Sequence, residues 1–254
     1  MPNTIQTAQE STLRLEGAPN FRDLGGYTNK HGKSVKTGLV FRSDHLGKLT
    51  PTDCQKLQSL NDQAWLVLDF RGTQERQTQV CTIPDAKVVS LSIEPTVVQI
   101  LSDMLAKGMD VSAETTVELM QDTYRHFVLQ HADRFKAFFD ALLSHPNHNV
   151  VFHCTAGKDR TGVAATLLLH ALHVPMPTIW HDYLLTNERL KHLPYFESAP
   201  QVAQVIQTVQ PAFLQAALDA IHQHHADMDT FLQQALDLND AKRQQLAEML
   251  LVGA

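Results

Sequence analysis

The 254-residue chain predicts an α/β fold: a central, mostly parallel sheet flanked by helices. Three observations carry this reading. Short β-leaning apolar runs alternate with helical patterns, as they do where crossover helices join parallel strands. The runs are largely apolar, which suits strands covered on both faces. With 43% apolar and 19% charged residues, the composition is globular and excludes disorder or collagen-like repeats. A chain this long can bury its core without disulfide or metal staples.

Residues 1–17 are polar and read as a flexible arm. The first strand falls at 38–43 (GLVFRS). Pro51 then opens a helix, suited to its first turn, with Cys54, Leu57 and Leu60 at helical spacing. Further strands are expected at 64–70 (AWLVLDF), 87–93 (KVVSLSI) and 149–153 (NVVFH). Helices at 112–129 and 132–144 precede the last strand, the second presenting Phe135, Phe138, Phe139, Leu142 and Leu143. The apolar residues of 95–128, Val97, Val98, Ile100, Leu101, Met104 and Leu105 among them, suit either a lid over a pocket or a core-facing helix. Beyond His153 the pattern is helical throughout: 160–172, 177–190, 200–209, 211–222, 228–236 and 240–251. Asn239 or Asp240 caps the last of these. With no internal repeat and no clear linker, residues 1–254 read as a single domain, with 195–254 a helical C-terminal extension.

Lys plus Arg number 21 and Asp plus Glu 27, a net charge of −6. That balance argues against a nucleic-acid partner and against electrostatic attachment to anionic lipid. Three cysteines, Cys54, Cys81 and Cys154, do not make a disulfide framework and point to a reducing, cytoplasmic setting. Residues 1–10 contain no apolar signal-peptide core, and no run of 18 apolar residues predicts an integral membrane segment. Export that needs no such signal is left open. The chain carries no Walker loop. His222, His224 and His225 do not share one helical face and read as a solvated helix end, not a metal site.

The chemistry concentrates at residues 150–162 (VVFHCTAGKDRTG). A cysteine, five residues and an arginine lie between an apolar strand and an apolar helix. Successive N–H groups in such a loop, with the helix N-terminus, form an anion cradle. Gly157 permits close backbone approach to the anion. Arg160 offers a planar fork to two phosphate oxygens. Cys154, at the base of the cradle, is favoured as a thiolate, and His153 and the Thr161 hydroxyl are placed to support it. A thiolate beneath a phosphate cage is a nucleophile for phosphorus. An inert core cysteine would not need Gly157, Lys158, Asp159 and Arg160 in succession.

This loop resembles the His-Cys-x5-Arg-Thr-Gly signature of cysteine-dependent protein tyrosine phosphatases. The string HCTAGKDRTG is similar to that of the bacterial tyrosine/lipid phosphatase family. Residues 20–27 (NFRDLGGY), Asp69-Phe70-Arg71 followed by Glu75, and residues 182–187 (DYLLTN) resemble further motifs of that family. The likeness spans residues 20–190. It implies a phosphatase loop between strand and helix, and metal-independent hydrolysis of phosphomonoesters through a phosphocysteine, with no cofactor. Cys154 is then the nucleophile, and Arg160 clamps the phosphate. The backbone of Thr155, Ala156, Gly157, Lys158, Asp159 and Arg160 cages the anion, and Thr161 stabilises the departing thiolate.

The general acid is less directly given. The Trp-Pro-Asp loop of classical tyrosine phosphatases is absent, since Trp65 and Trp180 precede Leu66 and His181. Asp159 occupies the family's alternative position, directly before the arginine. A carboxyl beside a dianion is pushed towards its protonated form, as an acid requires. The alternative is that Asp159 only orients Arg160 or caps the helix, with Asp23 and Asp69 in reserve as acids.

Lys158 reads equally as a second phosphate contact or a solvated loop lysine. Arg22 and Arg71 are candidates for a second anion contact, or structural partners of Asp23 and Glu75. Cys81 reads as a plain thiol or a resolving partner for oxidised Cys154. Phosphotyrosine proteins are the expected substrates, with dual specificity open and phosphoinositides the alternative partner. Sulfur transfer or arsenate reduction, and phosphate binding without turnover, are the competing classes.

Overall fold

A computed structural model describes residues 13–94, 97, 100, 101, 104, 107, 111–191 and 200–253. The central sheet has five strands: β1 (Arg22–Asp23), β3 (Val40–Ser43), β6 (His148–His153), β4 (Ala64–Asp69) and β5 (Lys87–Ser90), in that spatial order. β1 is antiparallel to β3 and every other pairing is parallel. Ser43 and Asp69 both register with His153, so β3, β6 and β4 end at one level. The carboxyl edge of an open parallel sheet is where such folds bind ligands.

Alternation along the strands divides the core. Phe41, Trp65, Val67 and Val151 face one side, where Leu57 of α1 (Pro51–Gln58) covers them. Leu66, Leu68, Val150 and Phe152 face the other. There they join α3 (Ala113–Gln130), α4 (Ala132–Ser144) and α5 (Arg160–Ala171). The Phe138 and Phe152 rings meet at 5.0 Å. The edge strand β5 departs from the expected double coverage: Val88 is exposed because nothing covers its outer face.

The C-terminal helices share this second cluster. α6 (Met176–Leu190), α7 (Gln201–Gln207), α8 (Pro211–His224), α9 (Met228–Gln234) and α10 (Asp240–Leu250) contribute, among others, Ile179, Val205, Phe213, Phe231 and Leu246. Asn239 is the cap of α10, accepting the Lys242 N–H at 3.0 Å. The expected helix ends one residue early, because β7 (Leu251–Val252) turns extended and pairs with β2 (Ser34–Val35). Helix α2 (Thr73–Thr78) and the two-residue strands β1, β2 and β7 are too short to leave a periodic pattern.

Residues 13–17 do not form a free arm. Leu15 is buried, and the Glu16 and Gly17 N–H groups donate to Asp53 at 2.9 and 2.8 Å. Asp53 also closes the capping box of α1 with Thr50, so one carboxylate anchors both segments. Residues 1–12 lie outside the described residues. Among those described, no helix is long and apolar enough to cross a membrane.

Candidate active site

β6 delivers His153 and Cys154 to the carboxyl edge, and α5 starts at Arg160, with the loop between them. Three successive loop carbonyls are tied from behind. Thr155 O accepts the His45 N–H at 3.0 Å. Ala156 O and Gly157 O accept from Asn20 Nδ2 at 2.9 and 3.1 Å, and Gly157 O also accepts from Arg42 Nη2 at 2.8 Å. In a trans peptide the N–H points opposite the carbonyl. The N–H groups of Ala156, Gly157 and Lys158 therefore turn to the other side, as an anion cage requires.

Gly157 has φ +66°, and a Cβ there would lie 2.3 Å from Ser43 O. The close approach that demands glycine is thus to the end of β3, not to the anion. Cys154 is buried at the root of the loop.

Arg160 is held by its own acid. Its Nη1 and Nη2 donate to Glu75 Oε2 and Oε1 at 2.7 and 2.9 Å, and Nη1 also reaches Ile93 O at 2.9 Å. The Thr155 hydroxyl donates to the same carboxylate. Despite partial burial, these bonds bring the Glu75 pKa down to about 2 and raise that of Arg160 above its ordinary value. Glu75 therefore serves Arg160 and not Arg71.

Lys158 is neither solvated nor free. It is buried, and its Nζ lies 2.8 and 2.7 Å from the two Asp159 carboxylate oxygens. Asp159 does not cap α5 with its side chain, and among the described residues it makes no hydrogen bond to Arg160, although its charge adds to the raised Arg160 pKa. Its Oδ1 accepts the Tyr124 hydroxyl at 2.8 Å.

The other expected site residues stand behind the loop. Asp69 grips Arg71 through paired bonds of 3.0 and 2.7 Å, and Arg71 Nη1 reaches Gln79 O at 2.6 Å. Arg22 donates to Asp182 Oδ1 at 2.9 Å and Asn20 Oδ1 at 2.5 Å. Both arginines are buried and committed, so neither is a second anion contact. Asp23 accepts the Gly25 and Gly38 N–H groups and shapes a turn. Neither Asp23 nor Asp69 lines the pocket. Thr161 Oγ1 is buried without a hydrogen-bond partner among the described residues, the Cys154 thiol included.

His153 is fully buried, with Nδ1 2.9 Å from Cys154 O. A carbonyl only accepts, so Nδ1 carries the proton. Burial pulls its pKa down to about 4, against the raising influence of Asp69. It is a neutral anchor for the loop, not a cation beside Cys154. Asp44, buried and accepting the Asn20 N–H at 3.1 Å, moves the opposite way, to about 7, again through burial.

These two groups oppose each other in stability. Between pH 6.5 and 4 the unfolded His153 holds a proton that the folded ring refuses, so stability falls with falling pH. Between pH 7 and 3.8 the folded Asp44 holds a proton that the unfolded one has released, so stability rises with falling pH. Asp44→Asn is therefore expected to lose denaturant resistance from pH 6.5 to 4 more steeply than wild type. Parallel profiles of midpoint against pH would contradict this.

The pocket above the loop holds about 320 Å³. Cys154, Asp159 and Arg160 form its polar base. Met120 and Phe127 of α3, Ile206 of α7 and Val97 supply apolar walls. Of the helical reading of 95–128, Val97 and Leu101 are buried, while Val98 and Leu105 lie outside the described residues. Among the described residues no cluster of His, Cys, Asp or Glu could hold a metal ion, and His222 and His224 are exposed.

Sequence reasoning did not single out Asn20, Arg42, Tyr124 or Asp182 for their roles. Asn20 and Asp182 open the motifs at 20–27 and 182–187, so a signal existed. Arg42, in an apolar strand, and Tyr124, in an ordinary amphipathic helix, left none.

A parallel sheet that delivers a buried cysteine into an anion loop closed by a carboxylate-held arginine is the framework of a cysteine-dependent phosphatase. The chain belongs to the tyrosine phosphatase family, whose model matches residues 13–252. A Cupriavidus necator protein named as a putative tyrosine-protein phosphatase is 29% identical over 246 residues, covering 91% of this chain and 86% of that protein. The tyrosine-protein phosphatase of Nostoc commune is 30% identical over 163 residues, covering 63% of this chain and 52% of its own. The triple specificity protein phosphatase PtpB of Mycobacterium tuberculosis is 26% identical over 200 residues, covering 70% of each.

Proposed function

We propose that the chain hydrolyses phosphomonoesters of proteins, phosphotyrosine foremost, through a phosphocysteine. The observation that carries this is the loop itself: three carbonyls tied back by His45, Asn20 and Arg42, with Cys154 at its root and Arg160 at its end. Cys154 Sγ attacks phosphorus in line, forming the S–P bond as the ester P–O bond breaks. Asp159 gives its proton to the leaving oxygen. Asp159 then takes a proton from water, whose oxygen attacks phosphorus; the S–P bond breaks, phosphate departs and the thiolate returns. The loop N–H groups and Arg160 hold the phosphoryl oxygens.

The commitment of Arg22 to Asp182 and of Arg71 to Asp69 favours a substrate with one phosphate over a phosphoinositide, and Lys158 is likewise paired, with Asp159. The name of the Mycobacterium tuberculosis relative keeps broader specificity in view. We place the protein in the cytoplasm as a single catalytic domain without a nucleic-acid partner. The acidic charge and sparse cysteines support that setting, and the core shared by sheet and C-terminal helices supports one domain.

The test is phosphate release from 4-nitrophenyl phosphate in the presence of a chelator. Wild type is expected to turn over. Cys154→Ser should abolish release, and Asp159→Asn should slow poor leaving groups by roughly 10²-fold or more. A wild type that binds phosphotyrosine peptide without ever releasing phosphate would establish a binding module instead.

A further inference from the structure

We infer that Tyr124 is the positioning residue that aims the Asp159 proton at the leaving group, backed by Tyr183. This rests on the reading of Asp159 as the general acid. The Tyr124 oxygen lies 2.8 Å from Asp159 Oδ1 and 2.8 Å from the Tyr183 hydroxyl, and Tyr183 in turn reaches Gln210 O at 3.4 Å. Both phenols are buried. Burial and the neighbouring Asp159 raise the Tyr124 pKa well above that of an ordinary phenol, so it keeps its proton.

Each hydroxyl has one proton to give, and the ionised carboxylate only accepts. Tyr124 therefore donates to Asp159 Oδ1, and the single Tyr183 proton goes either to the Tyr124 oxygen at 2.8 Å or to Gln210 O at 3.4 Å, the first being the shorter contact. When Asp159 is protonated, a bond from Tyr124 to Oδ1 makes that oxygen the carbonyl. The acidic proton is then left on Oδ2. Tyr124 thus decides which oxygen delivers the proton.

Lys158 cannot do this. It sits on both carboxylate oxygens, at 2.8 and 2.7 Å, and donates only. Its bond to Oδ2 disfavours a proton on that oxygen, and a phosphate dianion in the cradle would compete for the ammonium. The Tyr124 bond is the one that survives this exchange. As the P–O bond breaks, the Oδ2 proton moves to the leaving oxygen, and the new carboxylate is stabilised by the same hydroxyl.

The rings are fixed for this purpose. Tyr124 packs against Phe127 and Phe213 at centroid distances of 5.4 and 5.8 Å. Tyr183 lies so close to the first turn of α5 that a Cβ on Gly162 would meet its Cε2 at 3.0 Å. The glycine that ends the loop motif and the tyrosine of the later motif therefore pack against each other.

The test is a double-mutant cycle of Tyr124→Phe and Asp159→Asn, assayed on 4-nitrophenyl phosphate and on phenyl phosphate, whose leaving group is poorer. Tyr124→Phe is expected to lower kcat on phenyl phosphate by roughly tenfold, with a much smaller loss on the nitrophenyl ester. In the Asp159→Asn background it should add no further loss, because it acts through that carboxyl. Equal losses on both esters, or a further loss on top of Asp159→Asn, would reduce Tyr124 to a structural residue. Loss in Asp159→Asn with none in Tyr124→Phe overturns this proposal alone. An Asp159→Asn enzyme with unchanged leaving-group dependence overturns the acid assignment, and this proposal with it.

Discussion

Asp182→Ala is expected to destabilise the protein by about 3–5 kcal/mol, the effect of stripping the partner from buried charges. Asp182 is buried, with Arg22 Nε on Oδ1 at 2.9 Å and Arg42 Nη1 on Oδ2 at 2.6 Å. Its pKa is held down at about 2 by the two arginines, against the cost of burial. Burial and the adjacent Arg42 already pull Arg22 down to about 10. Removing the carboxylate leaves two buried guanidinium groups without the partner they share. At this chain length the loss corresponds to a fall in Tm on the order of 10 °C.

The damage should also reach the chemistry. Arg42 holds Gly157 O, and Arg22 holds the Asn20 side chain that ties two loop carbonyls. The loop N–H groups lose their aim when those ties slacken. Asp182→Asn, which keeps an acceptor, should lie between wild type and alanine in both respects. A thermal scan with Asp182→Ala within about 2 °C of wild type would refute this account of the cluster.

Arg160→Lys is expected to lower kcat/KM by roughly 10²–10³-fold, comparable to losing a preorganised donor to transition-state charge. The guanidinium performs two planar tasks at once. It pairs with Glu75 through Nη1 and Nη2, and its charge faces the pocket beside Cys154. A lysine ammonium is a point charge and cannot reproduce a paired fork. Lysine at this position also leaves Glu75, now held at a pKa of about 2 largely by Arg160, with a weaker partner. Steady-state kinetics on 4-nitrophenyl phosphate check this, with circular dichroism to confirm folding. Activity within tenfold of wild type would mean that the loop N–H groups alone bind the phosphoryl group.

The loop was legible because its chemistry is local. Cys154 and Arg160 must be close in sequence for one turn to place a thiol and a cation together. The strands 38–43, 64–70 and 149–153 were legible for a similar reason, since continuous apolar runs announce burial on both faces. The partners of each charge were not. Proximity along the chain suggested Glu75 for Arg71 and Asp23 for Arg22. In the fold Arg71 turns to Asp69, Glu75 crosses to Arg160, and Arg22 reaches Asp182 across 160 positions. Side-chain pairing follows distance in space, and the sheet order β1-β3-β6-β4-β5 brings together segments that the chain keeps apart.

By itself, then, the sequence determined the α/β class and pointed to Cys154 and the loop after it as the proposed nucleophile and anion cradle, because periodicity and motif spacing are written in consecutive residues. Only the tertiary structure decided what restrains that loop and Asp159. Asn20, Arg42 and Asp182 converge behind it, Glu75 orders its arginine, and Tyr124 meets Asp159 from a helix 35 residues earlier. Those contacts exist because buried polar groups must find partners within hydrogen-bond reach, and the packed fold alone determines which ones are there.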